Sequence, residues 1–232
     1  MQFPILGLTA LLCQTFAANA TNCNSLVDGW SLAKERRQVR LYQRQKPADL
    51  SEVMVITELR TSLTAFILLL RDTQKGPEWI ANASAIMLLE RPKPNQDLVV
   101  TRFDAPWPIR NRDMVTLSTF NQDPENLTLT LTVTDASDKY PKVDGWIRMK
   151  NIRAIWQLSP LPSGLIEICY RGSADPSGFI PLWLANQLQI DGTFSTFVRL
   201  RQILLKNQYQ QGQVVGIQEP NTALRTKISN NP

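Results

Sequence analysis

None of the 232 residues is a histidine. That absence removes the usual general base, the common ligand of catalytic zinc and every nucleophilic triad built on an imidazole. No clustered pair of carboxylates stands in for it, so the chain reads as a binder and not as an enzyme. Also missing are a G-x-G-x-x-G loop, a P-loop, a C-x-x-C pair and zinc-type spacing. No aromatic-basic motif suggests nucleic acid, and neither a cofactor nor a metal is expected. Charged residues are only 19% of the chain against 43% apolar, ordinary values that exclude wholesale disorder. The net charge of +5 is mild and permits attraction to anionic headgroups. Its densest cluster, Arg36, Arg37 and Arg40, reads as the solvated face of a helix. The length suits one domain with a short N-terminal appendage.

That appendage is uncharged over residues 3–18, where Phe3, Ile5, Leu6, Leu8, Leu11, Leu12 and Phe16 recur. It is short for a membrane span of about 20 apolar residues. Ala18-Asn19-Ala20 supplies a small-x-small cleavage site, so residues 1–20 read as a signal peptide. An exported protein, periplasmic or secreted, is the expectation, with an uncleaved N-terminal anchor as the alternative. Cleavage would leave Cys23 and Cys169, which in an oxidising compartment are free to pair. Sequence leaves that pairing open.

Beyond the leader, 26–37 reads as a helix with Trp30 and Ala33 on one face. Residues 39–43 and 53–59 read as strands. Ser62 precedes an apolar helix that stops near Asp72, followed by Lys75-Gly76-Pro77 punctuation. Strand-like runs come next at 86–90, 98–103, 114–120, 127–134, 146–158 and 165–172. The cleanest is 127–134, with Leu127, Leu129, Leu131 and Val133 on one face and four threonines on the other. A long helix over 180–205 closes the order, and a Gln- and Asn-rich flexible tail is expected over 211–232. The fold class is therefore α+β: a curved antiparallel sheet closed over by one C-terminal helix, a shell that can enclose a cavity.

Pro106-Trp107-Pro108 followed by Arg112-Asp113 resembles the PWP-then-RD signature of START (StAR-related lipid transfer) domains. Trp79 upstream, Trp156-x-Leu158-x-Pro160 and the run from Asp175 to Asn186 extend that resemblance in order and spacing over residues 26 to 206. It implies the helix-grip fold over a START-like domain at 21–210. It also implies a lipid or sterol held in a tunnel between sheet and C-terminal helix, with the 180–205 helix as lid. Either the loop 136–145 or the turn 121–126 would move with it.

An apolar wall is expected from Leu129, Leu131, Val133, Leu184, Leu188, Phe194, Phe197 and Val198. Arg112 and Asp113 are the sharpest polar candidates, either pairing with one another or meeting a headgroup. Arg153, Glu167 and Arg171 alternate on strands that border the tunnel, where an inward charge needs a partner or a ligand. Trp107 and Trp183 are core residues or lie at the tunnel mouth, where they would touch a membrane transiently during exchange. A monomer that carries lipid between membranes is the leading expectation. A non-transferring sensor or scaffold is one alternative, and a helix-grip cyclase or hydrolase is another.

Overall fold

The computed structural model describes residues 23, 27–46, 49–105 and 107–220. The segment expected to be a signal peptide, residues 47–48 and the last twelve residues lie outside the described residues.

Among the described residues ten strands form a single sheet in the order β1-β2-β3-β10-β9-β7-β6-β5-β4. β1 is Ser31–Arg36, β2 Val39–Lys46 and β3 Asp49–Leu59. β4 is Ala83–Glu90, β5 Gln96–Phe103, β6 Arg112–Gln122 and β7 Leu129–Asp135. β9 is Lys150–Pro160 and β10 Ile166–Asp175. All pair antiparallel with their neighbours, as short turn-bounded strands dictate. The two-residue β8, Ile147–Arg148, runs parallel beside the start of β6.

Among the described residues four α-helices accompany the sheet. α1, Leu63–Arg71, starts where Ser62 Oγ accepts from the Ala65 N–H at 3.1 Å. The short α2, Gly76–Trp79, occupies the segment expected to be mere punctuation, with Pro77 in its first turn. α3, Leu182–Leu204, is the long C-terminal helix and runs unbroken through Gly192. α4 is Asn207–Gln210. The core centres on Trp156, whose ring lies 5.2 Å from Phe66, 4.6 Å from Tyr170 and 5.0 Å from Phe197.

Three elements differ from expectation. Residues 31–36 form an edge strand instead of part of a helix. Arg37 and Gln38 both take positive φ (53° and 59°), and this two-residue reversal folds β1 back on β2. Such turns favour Asn-Gly, so Arg-Gln carries no visible signal. The run at 146–158 breaks into β8 and β9, with Asn151 at φ 52° just after the break.

The expected flexible tail is docked as far as residue 220. Tyr209 is buried and its hydroxyl donates to Asp72 Oδ2 at 2.8 Å. Val214 and Ile217 pack on the core. Gln122 and Gln218 exchange two hydrogen bonds, of 2.8 and 2.7 Å. Glu219 accepts from Leu63 N (3.1 Å) and Thr64 N (2.7 Å), placing a carboxylate at the positive end of α1. A few well-placed side chains hold this strap, which average composition does not register.

Cys23 and Cys169 form a disulfide, with Cα atoms 6.1 Å apart. Both sulfurs are buried with Met54 and Ile56 on the outer face of the sheet, beneath Val27 and Trp30.

Candidate binding cavity

Strand alternation decides which side chains meet under α3. On β6, Arg112, Met114, Thr116, Ser118 and Phe120 point inward; Asp113, Val115 and Leu117 point to the other face. Leu131 and Val133 of β7, Trp156 of β9 and Tyr170 of β10 join the inward set. α3 closes over them with Ala185, Leu188, Gln189, Gly192, Thr193, Thr196 and Phe197. The result is a cavity of about 410 Å³ whose wall is mainly apolar. Its rim is made by Asp104, Ala105 and Ile109 on one side and Ser173, Ala174, Pro176 and Ile180 on the other. Neither 136–145 nor 121–126, the two segments expected to gate the tunnel, borders it.

Of the expected wall, Leu131, Val133, Leu188 and Phe197 line the cavity. Leu129 is fully buried in the solid core beyond it. Phe194 and Val198 pack on that core one step round α3, with Lys34 Nζ 5.7 Å from the Phe194 ring. Leu184 is half-buried and outside the wall. The helix face that borders empty space is the one with small residues, Ala185, Gly192, Thr193 and Thr196. Leu188 and Phe197 share that face, but Leu184, Phe194 and Val198 of the expected stripe lie off it, so hydrophobicity alone does not mark the cavity side.

The polar expectations separate cleanly. Arg112 and Asp113 are neighbours on one strand, so they project to opposite faces and do not pair. Asp113 instead makes a buried two-pronged ion pair with Arg148, 2.8 Å at each oxygen. Arg148 also donates to the carbonyls of Ser137 (3.0 Å), Tyr140 (2.9 Å) and Pro141 (3.0 Å). Arg148, which the sequence did not single out, thereby pins the 136–141 segment to the sheet on the side away from the cavity.

Arg112 stays with the cavity and is 6% exposed. Its guanidinium donates to the carbonyls of Arg110 and, at 3.4 Å, of Ser177, bridging the two sides of the rim. Its Nε has no partner among the described residues. Burial, and then the charge of Arg110, hold its pKa below the usual arginine value.

Arg153, Glu167 and Arg171 have the opposite strand parity and leave the sheet on its outer face. The partners facing them in register are Ser173, Glu58 and Met54. Arg153 also borders the cavity, but its side chain is exposed between the buried Ile152 and Ala154. With Arg171 it lines a polar groove beside Trp30 and Arg44. Glu167 is buried and accepts from Cys23 N at 3.3 Å; burial raises its pKa, a shift that bond partly opposes. Alternation puts Glu167, Cys169 and Arg171 on one side of β10 and Ile166, Ile168 and Tyr170 on the other, but both sides are buried near Glu167, so burial did not tell which side meets the cavity. Tyr170, at the inward parity, was missed for the same reason; burial pushes its hydroxyl up to about 12.

Around the rim large apolar side chains stand in solvent. Trp107 is 93% exposed, Phe179 99% and Trp183 71%, with Leu182 beside them in the chain. Among the described residues no group of His, Cys, Asp or Glu is arranged to hold a metal, and no helix is long and apolar enough to cross a membrane.

The family model for the START domain matches residues 17–210. The chain belongs to the START domain family. This START domain is 27% identical over 198 residues to an uncharacterized protein of Pseudomonas aeruginosa, covering 85% of this chain and 96% of that one. Among solved structures it resembles a STAR-related lipid transfer protein fragment from Xanthomonas axonopodis. The TM-score is 0.71 at 29% identity, over 77% of this chain and all of that one. Human StAR-related lipid transfer protein 5 has a TM-score of 0.64 at 16% identity, covering 78% and 92% of the two chains, a likeness of fold. The curved sheet gripping α3 is thus the helix-grip fold expected from the sequence.

Proposed function

We propose that this START domain holds one lipid or sterol in the cavity under α3 and carries it between membranes, without chemical change to it. The observation that carries this is the cavity itself: about 410 Å³, walled mainly by apolar side chains and bordered at one end by the buried Arg112. Each methylene moved from water into such a wall contributes about 0.8 kcal/mol, which gives a chain or ring system reason to enter. Arg112, Leu131, Val133, Leu188 and Phe197 are the proposed contacts. The membership of the family and the lipid transfer protein from Xanthomonas axonopodis support the same function.

Trp107, Phe179 and Trp183 are proposed as the transient membrane contact, since exposed aromatic rings partition to the membrane–water interface. The route in and out then lies between the loop carrying Trp107 and the first turn of α3. Export to the periplasm or beyond the cell is supported by the uncharged leader and by the Cys23–Cys169 disulfide, which an oxidising compartment maintains.

The test is mass spectrometry of the purified protein, native and then denatured, followed by transfer of the identified lipid between donor and acceptor vesicles. A stoichiometric lipid that moves faster with protein than without is the expected result. A lipid that binds but does not move would make this a sensor. An empty protein that takes up nothing from a mixed lipid extract would remove the proposal.

A further inference from the structure

On the reading that the cavity holds a lipid, its unpaired polar groups say what kind. Among the described residues four buried side-chain polar atoms lack a hydrogen-bond partner, and three of the residues that carry them line this cavity: Trp79 (Nε1), Arg112 (Nε) and Gln189 (Oε1). Native interiors leave few such atoms unpaired, so their gathering around one cavity points to a ligand there.

Arg112 is the informative one, and Arg148 is its control. Both are arginines buried to nearly the same degree, at 6% and 5% exposure, on adjacent short lengths of chain. Arg148 has a carboxylate and three carbonyls. Arg112 has two carbonyls and no anion. The carboxylates that border the cavity are engaged elsewhere: Asp97 with Arg71 and Arg91, Asp72 with Tyr209, and the exposed Asp104 with Asn111. Water can fill a hydrogen bond at Nε, but it cannot supply the missing counter-charge, and a buried cation without one is destabilising.

Size narrows the rest. At about 410 Å³ the cavity stands near the lower end of the roughly 300–1,000 Å³ of small-molecule sites. That size suits one acyl chain with its head at the rim better than two chains of membrane length. Gly192 adds to the chain path, because a Cβ built there meets nothing within 4 Å.

We propose that the ligand is a single-chain lipid with an anionic head, a carboxylate or a phosphate, seated on Arg112, its chain running beneath Gly192 toward Trp156 and Phe197. The test compares binding of palmitate, 1-hexadecanol and a two-chain phosphatidic acid to the purified protein at a pH where the carboxylate is ionised. Palmitate is expected to bind at least about tenfold more tightly than hexadecanol, the scale of a charge-assisted bond, and Arg112→Gln to lose that factor. The wild-type comparison stands even if the variant folds poorly. Equal binding of alcohol and acid would overturn the anionic head and leave the lipid cavity standing. Preferential uptake of the two-chain lipid would overturn the single chain. Failure of all three probes and of a mixed lipid extract would instead remove the lipid cavity underneath.

Discussion

The two halves of α3 are built differently. Its C-terminal half is fixed by apolar packing: Phe197, Leu200, Ile203 and Leu204 are all at most 5% exposed. Arg201 adds hydrogen bonds to Thr57 Oγ1 (2.6 Å) and the Glu58 carbonyl. The N-terminal half lies over the cavity and buries only Ala185 and Ile190. It is held by polar contacts at its sides: Asn186 to Ser51 N at 3.0 Å, Asp191 to Lys34, and Thr196, at the junction of the halves, to Ala81 N at 3.0 Å. Its first turn has no side-chain cap, and Leu182 and Trp183 there are exposed. Apolar packing resists separation in water, whereas such polar contacts exchange readily with it. On the proposed function, α3 acting as a lid is expected to turn about its C-terminal end and lift at the end nearest Arg112.

Substitutions break or sharpen that contrast. The largest effect is expected for Phe197→Ala, which removes a fully buried ring from the packed half and should cost about 3–5 kcal/mol in denaturant unfolding. Leu188→Ala, over the cavity, should cost well under half of that, and equal losses would mean the two halves are not distinct. Replacing Cys23 and Cys169 by serine comes next, at about 2–5 kcal/mol, because the bridge spans 146 residues of sequence. Lipid capacity per folded protein should be unchanged, since the bridge is on the opposite face of the sheet. Gly192→Ala should raise stability by about 0.5–1 kcal/mol through helix propensity alone, the Cβ having open space. Gly192→Leu should keep that fold and displace bound lipid; full lipid occupancy in it would place the chain elsewhere.

The smallest effect concerns pH. Glu167 has a raised folded pKa, so the native state holds its proton more tightly than the unfolded chain does. Its ionisation therefore opposes folding as pH rises from the ordinary carboxylate range of about 4.3 through the raised folded value. Glu167→Gln keeps an acceptor for Cys23 N, and its stability advantage over wild type should grow across that window. An advantage constant with pH would show that the carboxyl does not titrate differently on folding.

How much of this was legible in the sequence depends on how each element is buried. β7 has one apolar and one threonine face, so alternation alone put Leu131 and Val133 on the inward side. α1 announced itself through Ser62 and an apolar run, and Arg112 was named from the Arg-Asp part of the family signature, which opens β6. The failures lie where local pattern and tertiary burial disagree. Glu167 and Arg171 share one parity of β10, but Glu167 and Cys169 are as buried as Ile166 and Ile168, so parity could not say which side meets the cavity. In α3 the cavity side is marked by smallness and not by hydrophobicity, which turned Phe194 and Val198 into false candidates. The pairing of Asp113 with Arg148 joins residues 35 positions apart through a two-residue parallel strand that no periodicity reveals.

The bridge between Cys23 and Cys169 also makes a closed ring of nearly two thirds of the chain. A single protease cut anywhere in that ring leaves both pieces joined. If the protein were drawn out by its two ends, tension would pass directly from Cys23 to β10 and bypass β1 to β9. The pull would be felt by the end of β10, by α3 and by the strap that Glu219 ties to α1. The element proposed to open is thus the one left outside the ring, and a hard shell and a yielding lid come from the same bond.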